Sequence, residues 1–84
     1  MEPTEVAKLI ESGLPGCQAK VMSDDNTHYA ALVVSDDFEG KRLIARHQMI
    51  YGCLGSLMGG EIHAMSIRAH TPDEWDALQS AERG

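Results

Sequence analysis

The hydrophobic and polar positions of this chain alternate between helical and strand-like spacing. In residues 3–12 the apolar positions lie three and four apart, which predicts a short helix that ends at Gly13. Residues 17–22 alternate between apolar and polar, and residues 29–35 form a β-rich apolar run, so each stretch predicts a strand. Because the sequence 23–27 consists of residues that favour turns, we expect it to join the two strands as a hairpin.

A second helical pattern follows a polar turn at residues 36–41. Its stripe advances in steps of three and four and consists of Leu43, Ile44, His47, Ile50, Tyr51, Leu54, Leu57 and Met58. Gly52 and Gly55 weaken this helix, each by about 1 kcal/mol relative to alanine, and predict either a kink or a division into two helices. We expect the pattern to end at residues 59–60, which are both glycine.

The C-terminal stretch combines a strand pattern with a strong signal for the start of a helix. Residues 61–70 predict a third strand, and the final helix begins at Thr71. Thr71 is a favourable N-cap residue and Pro72 suits the first helical position. Glu74, three residues after the cap, completes a capping box.

The order of the predicted elements, α-β-β-α-β-α, indicates an α+β fold. We expect one domain over residues 1–84, with residues 1–2 and about 80–84 frayed at its ends. The first two strands are expected to be antiparallel. The crossover through the long helix makes the second and third strands parallel if they are neighbours. The prediction is a small three-stranded mixed sheet whose helices cover one face.

Charge narrows the classes of function more than composition does. The 84 residues are 43% hydrophobic, which is ordinary for a globular domain, and their formal net charge is −6. Because affinity for nucleic acids depends largely on Lys and Arg that neutralise phosphates, this charge disfavours a nucleic-acid ligand. The only basic cluster, Lys41, Arg42 and Arg46, lies at the start of the long helix, where phosphate binding is most favourable.

The two cysteines, Cys17 and Cys53, lack the spacing of a metal-binding knuckle and a neighbouring histidine. We expect both to be free thiols, at least partly buried, in a reducing compartment. The absence of a secretory leader and of an apolar run long enough to span a membrane indicates a cytoplasmic protein. No paired catalytic carboxylates and no phosphate-binding loop stand out, so we expect no enzyme.

The histidines are the candidate metal ligands. His63 follows the glycine break at 59–60 and suits a metal or a partner, although its spacing alone favours a strand histidine bonded to a carboxylate. His28, at the end of the polar loop, fits a ligand and a solvated residue about equally well. We expect His47 to lie in the core or at its boundary, with contact to a phosphate or a partner protein as the lesser alternative, and His70 to be structural or solvated.

Four segments, taken in order, resemble the BolA family. They are Val33-Val34-Ser35, Phe38-Glu39-Gly40-Lys41, Arg46-His47-Gln48-Met49-Ile50 and the run from Ile62 to Trp75. The likeness covers nearly the whole chain and is closest to the small, acid-stress-linked YrbA/IbaG-type branch. It implies a fold similar to the type II KH domain and a regulatory or adaptor role in the stress response.

The resemblance also implies a partner and a cofactor. Such proteins pair with monothiol glutaredoxins and share a bridging [2Fe-2S] cluster, to which the glutaredoxin side adds its cysteine and a glutathione thiol. The C-terminal histidine that binds the cluster corresponds to His63, and the second ligand usually comes from the loop between the first two strands. No cysteine lies in residues 23–27, so His28 is the second candidate. A loop oxygen such as that of Asp25 is the alternative, although carboxylates are harder ligands.

An alternative function follows from the same likeness. A KH-like face with Lys41, Arg42 and Arg46 at its border fits a DNA-binding transcriptional regulator. Two features weigh against this reading: the usual basic Gly-x-x-Gly loop is not evident before the long helix, and acidic residues outnumber basic ones, 13 to 7.

Overall fold

The computed structural model describes residues 1–83 and has the predicted order of elements, which confirms the α+β fold class. The helices are α1 (Pro3–Gly13), α2 (Leu43–Leu54) and α3 (Pro72–Arg83), and the strands are β1 (Gln18–Met22), β2 (His28–Val34) and β3 (Ala64–His70). Two short 3-10 turns, Asp36–Phe38 and Gly55–Leu57, flank α2. Within residues 1–83, no helix has both the length and the apolar content needed to cross a bilayer.

Antiparallel and parallel pairing meet at β2, the central strand of the sheet. β1 is antiparallel to β2, with Gln18 opposite Val34, so the predicted hairpin is confirmed. β2 is parallel to β3, with His28 opposite Ala64, as the crossover through α2 predicts. This register brings the amino ends of β2 and β3 to one edge of the sheet and their carboxyl ends to the opposite edge.

Helices α1 and α2 cover one face of the sheet, where the hydrophobic core lies. Along β2, Tyr29, Ala31 and Val33 point inward and are buried, while His28 and Ala30 point outward and are exposed. The largest fully buried side chains are Phe38, Ile10, Ile50, Ile62, Val6 and Val33. Burial of such a side chain stabilises the fold by about 1.5–3 kcal/mol, so the alternation along β2 fixes which face its polar residues occupy.

The predicted long helix ends earlier than its apolar stripe. α2 ends at Leu54, and Gly55 has a φ of 55°, a conformation that favours glycine. The 3-10 turn Gly55–Leu57 follows directly. Of the two glycines predicted to kink or divide the helix, Gly52 lies within α2 and Gly55 follows its last residue, and the helix end predicted at residues 59–60 is wrong.

The first half of the predicted stripe on α2 is also wrong. Leu43 and Ile44 are 63% and 70% exposed, whereas Ile50 and Leu54 are buried. The buried position in the first half of α2 belongs to Arg46, whose long aliphatic stem packs as an apolar group does. Apolar residues thus lie on two faces of α2, and their spacing alone does not show which face is buried.

Helix α3 departs from the expectation that the helices cover one face. The Trp75 indole stacks on the His70 imidazole, with ring centroids 6.0 Å apart, and lies 6.0 Å from the Arg68 guanidinium. Arg68 and His70 alternate along β3 with the buried Ala69, so they point away from the core. Trp75 therefore reaches the second face of the sheet. α3 extends to Arg83, and residue 84 lies outside the described residues.

Both cysteines are free thiols, as predicted. Cys17 is buried and Cys53 is half-buried, and this burial raises the pKa of both thiols. A Cβ on Gly13 would come within 2.5 Å of the Cys53 Sγ. Helices α1 and α2 thus approach too closely at this point for a larger residue at position 13.

Candidate functional site

The two candidate histidines meet at the edge of the sheet where β2 and β3 both begin. His28 starts β2 opposite Ala64, and His63 lies one residue before β3. Their ring centroids are 5.3 Å apart and the ring planes are nearly perpendicular, at 75°. Both residues are exposed. Parallel pairing thus brings together two imidazoles that are far apart in the sequence and leaves both accessible to another molecule.

His63 is held in place by its backbone. Its N–H donates to the Thr27 carbonyl oxygen at 2.9 Å, and the N–H of Ala64 donates to the same oxygen at 3.3 Å. Ile62 is fully buried and anchors the chain on the other side. The strand begins at Ala64, so the predicted position of His63 inside a strand is wrong. In the described part of the chain its imidazole pairs with no carboxylate.

The loop before His28 is ordered by side-chain hydrogen bonds to its own backbone. The Asp25 Oδ1 accepts from the N–H of Thr27 at 3.0 Å and from that of His28 at 2.9 Å. The Ser23 hydroxyl donates to the His28 carbonyl at 2.6 Å and accepts from the Asn26 N–H at 2.9 Å. Asn26 has a φ of 58°, which asparagine tolerates better than most residues. The loop therefore presents His28 in one defined position.

The second oxygen of Asp25 contacts the His28 ring itself. Asp25 Oδ2 lies 2.8 Å from His28 Nδ1, and the Thr27 hydroxyl lies 3.1 Å from the same nitrogen. The backbone N–H groups of His28 and Thr27, together with this ring contact, hold the pKa of Asp25 far below its usual range. Asp25 is therefore a carboxylate near neutral pH. Within residues 1–83, His28 Nε2 makes no hydrogen bond of its own.

The chemistry available at this edge is that of two accessible nitrogen donors. A neutral imidazole has one nitrogen free to bind a metal, and iron and zinc both accept it. No group of three or more His, Cys, Asp or Glu side chains within residues 1–83 is arranged to hold a metal ion. His28 and His63 are the pair that the sequence predicted as metal ligands.

The predicted basic cluster does not form. The Arg46 guanidinium binds both carboxylate oxygens of Glu74, at 2.6 and 3.1 Å, and donates to the carbonyl oxygens of Ala69 and Lys41. Arg46 is only 7% exposed, and its hydrogen bonds to Glu74 raise its pKa further. Lys41 and Arg42 are exposed. The prediction that Arg46 belongs to a phosphate-binding surface is therefore wrong, because its guanidinium is already hydrogen-bonded inside the protein.

The remaining histidines take structural positions. His47 is half-buried on α2. His70 is half-buried against Trp75, and its Nδ1 lies 3.9 Å from the Glu74 carboxylate. Neither imidazole joins the pair at the amino ends of β2 and β3.

Asp25 has a different role in the structure from the one that the sequence suggests. The sequence offers its carboxylate as an alternative ligand to His28, whereas in the structure both carboxylate oxygens are bonded within the loop. The spacing Asp25-Asn26-Thr27-His28 contains a signal for this contact, because aspartate often accepts hydrogen bonds from backbone groups two and three residues further on.

Comparison with known proteins places the chain in a family. The sequence model of the BolA-like protein family matches residues 3–74. The "DNA-binding transcriptional regulator BolA" of Escherichia coli (strain K12) is 36% identical over 59 residues, which are 70% of this chain and 56% of that protein. A protein of Acinetobacter guillouiae, described as an uncharacterized protein in the rpoN-murA intergenic region, is 33% identical over 76 residues and matches 89% of this chain and 90% of that protein.

Solved structures agree with this assignment. The structure of a bolA protein homologue from Coxiella burnetii superposes with a TM-score of 0.76 and 36% identity, over 90% of this chain and 97% of that one. The match spans only about half of the length of several curated relatives, 56% for the Escherichia coli protein and 51% for a Caenorhabditis elegans one. From its family match, its relatives and its fold, the chain belongs to the BolA family.

Proposed function

We propose that this domain is a non-enzymatic iron–sulfur adaptor that binds a monothiol glutaredoxin and shares a bridging [2Fe-2S] cluster with it. In this proposal His63 and His28 supply two of the four ligands of the cluster. The glutaredoxin cysteine and a glutathione thiol supply the other two. The domain then helps to deliver the cluster or to regulate its use in the cytoplasm, which is where the sequence predicts the protein to be.

The observation that carries this proposal is the meeting of two exposed imidazoles at one edge of the sheet. Their ring centroids are 5.3 Å apart, and they come from two separate segments of the chain. Exposure at an edge is what a ligand pair needs if the rest of the coordination sphere belongs to another molecule. The burial of Ile62 and Tyr29, the neighbours of these histidines, keeps both imidazoles pointing outward.

The donor atoms fit such a cluster. Imidazole nitrogen replaces cysteine sulfur on one iron of known [2Fe-2S] centres and raises the reduction potential, because a neutral ligand removes negative charge from the cluster. The ring contact of Asp25 occupies His28 Nδ1 and leaves Nε2 available. Both histidines have to be neutral to bind, so we expect the cluster to be held less firmly as the pH falls.

Reconstitution with a partner tests the proposal. The domain is mixed with a monothiol glutaredoxin, glutathione, iron and sulfide, and the mixture is separated by size. We expect a coloured heterodimer whose visible absorption and circular dichroism change when His63→Ala is used. His63→Cys should keep the cluster but lower its reduction potential, since thiolate adds negative charge.

A matched control distinguishes the loss of a cluster ligand from the loss of any histidine side chain. His47→Ala removes a half-buried histidine away from the sheet edge and should leave the visible spectrum of the heterodimer unchanged. If His63→Ala behaves as His47→Ala does, His63 is not a ligand. If no coloured heterodimer forms with the unaltered domain, the adaptor function itself is wrong.

A second candidate function is DNA binding by a transcriptional regulator. The name of the Escherichia coli relative favours it, and Lys41 and Arg42 are exposed beside the start of α2. The net charge of −6 and the engagement of Arg46 by Glu74 weaken it. Fluorescence anisotropy with a DNA duplex tests this: binding at low salt should fall steeply with added salt and be lost in Lys41→Ala/Arg42→Ala. Undetectable binding at low salt would eliminate this function.

A further inference from the structure

We propose that Asp25 is the positioning residue of this site: it fixes the tautomer of His28 so that Nε2 is the ligand, and is not itself a ligand. This inference rests on the proposed function, because it concerns how His28 is presented to the cluster. It replaces the alternative, in which a carboxylate oxygen of Asp25 binds iron in place of the imidazole.

The two carboxylate oxygens of Asp25 have different partners. Oδ1 accepts from the N–H of Thr27 at 3.0 Å and of His28 at 2.9 Å, and Oδ2 lies 2.8 Å from His28 Nδ1. Iron bound by this carboxylate would compete with the contacts that order the loop. A carboxylate is also a harder donor than the imidazole beside it.

The contact with Asp25 determines which ring nitrogen of His28 carries the proton. A neutral imidazole has one N–H, and the partner of each nitrogen decides which nitrogen carries it. An ionised carboxylate only accepts hydrogen bonds, so the nitrogen that faces Asp25 Oδ2 has to be the donor. The proton therefore lies on Nδ1, and the lone pair lies on Nε2.

The contact with Asp25 also orients the His28 ring. His28 is exposed, with 61% of its side chain accessible, so packing alone does not fix its ring. The contact to Asp25 sets the ring angle, and the same loop fixes His63 through the bond from its N–H to the Thr27 carbonyl at 2.9 Å. Carboxylate partners of this kind orient metal-binding histidines in many proteins, and their loss typically weakens metal binding 10- to 100-fold.

Asp25→Asn reverses the tautomer while it preserves the loop. The amide oxygen of the new side chain can still accept from the two backbone N–H groups, which disfavour the flipped amide. The amide NH₂ then faces His28 Nδ1 and forces that nitrogen to accept. The proton moves to Nε2, the nitrogen needed as ligand.

Nuclear magnetic resonance of the isolated domain measures this directly, without glutaredoxin or iron. Long-range ¹H–¹⁵N correlation of the His28 ring should show the Nδ1–H tautomer in the unaltered protein and the Nε2–H tautomer in Asp25→Asn. Finding Nε2–H in the unaltered protein overturns the inference and leaves the assignment of His63 standing. Because no variant is needed for that result, a misfolded Asp25→Asn does not block the test.

The heterodimer gives the second readout. With Asp25→Asn, we expect the rate of cluster loss to a chelator to rise about 10- to 100-fold. Asp24→Asn, the same change in charge at the exposed neighbouring residue, should leave that rate within about twofold. An equal rate for Asp25→Asn and the unaltered domain overturns the inference.

A double variant separates positioning from charge. If Asp25 acts through the His28 ring, Asp25→Asn should have no further effect on cluster loss in a His28→Ala background. An undiminished effect in that background would mean that Asp25 acts other than through the His28 ring, which contradicts the inference while leaving the adaptor function intact.

Discussion

The two ends of the parallel pair β2 and β3 carry similar polar side chains in opposite situations. At the carboxyl ends, Arg46, Glu74 and His70 are joined in one network, in which Arg46 is buried, His70 is half-buried and the exposed Glu74 is bonded to Arg46. At the amino ends, His28 and His63 are exposed, and the ring of His63 pairs with no carboxylate of the described chain. We call the carboxyl end, where Arg46 and Glu74 are paired, the closed end, and the amino end, where His28 and His63 are exposed, the open end.

The closed end shows what polar groups do when they stabilise a fold. Glu74 completes the capping box with Thr71, through bonds of 3.0 and 3.2 Å, and binds Arg46 with both carboxylate oxygens. A single carboxylate thus ties α3 to α2 and to the end of β3. The Arg46 guanidinium and both Glu74 oxygens are bonded inside the protein, so this network joins elements of the fold.

The open end shows the reverse arrangement. Its backbone is held by the bonds to Asp25 and to the Thr27 carbonyl, while the two imidazoles are exposed. A rigid backbone that carries unengaged side chains is typical of a binding site. The comparison therefore predicts that stability resides at the closed end and function at the open end.

The largest expected effect is on stability, at the closed end. Arg46→Ala removes the bonds to Glu74, Ala69 and Lys41 and leaves a void in a buried position. We expect the free energy of unfolding to fall by about 3 kcal/mol, measured by urea denaturation. Arg42→Ala, at an exposed neighbour, should change it by no more than about 0.5 kcal/mol. Equal effects of the two variants would contradict the claim that the closed end stabilises the fold.

A smaller effect is expected on acidification. Arg46 and the Thr71 N–H lower the pKa of Glu74 from 4.5 to about 2. Because the folded pKa is below the unfolded one, the stabilisation is complete above about pH 4.5 and is lost as the pH falls towards 2. The difference in unfolding free energy between the unaltered domain and Glu74→Gln should shrink over this range. A constant difference would show that the pair does not stabilise the fold through charge; Asp25 is present in both proteins and cancels.

The smallest effect on stability is expected at the open end. His28→Ala and His63→Ala together remove exposed rings that carry little of the packing, so the free energy of unfolding of the isolated domain should change by less than about 0.5 kcal/mol. Urea denaturation of the double variant measures this. A loss above about 1 kcal/mol would mean that the two rings are part of the fold, and the contrast between the ends would disappear.

The sequence predicted the elements well wherever a local signal marked their boundaries. The capping box at Thr71, the stop at Gly13 and an interruption at Gly55 all appear in the structure, because each depends on residues within one turn. The antiparallel hairpin and the parallel crossover also followed from element order. The resemblance to the BolA family is confirmed as family membership, whereas the particular branch and the likeness to KH domains stay predictions.

Only the tertiary structure decided which polar side chains are hydrogen-bonded inside the protein and which are exposed. Arg46 looked like part of a basic surface, and Leu43 and Ile44 like part of the core, because the spacing of α2 fits either face. The burial of Arg46 depends on where Glu74 and Ala69 lie, which is a long-range property. In the same way, the sequence marked His28 and His63 as candidate ligands, but only the parallel pairing of β2 with β3 brings their rings to 5.3 Å, since strand register joins residues that no local pattern connects.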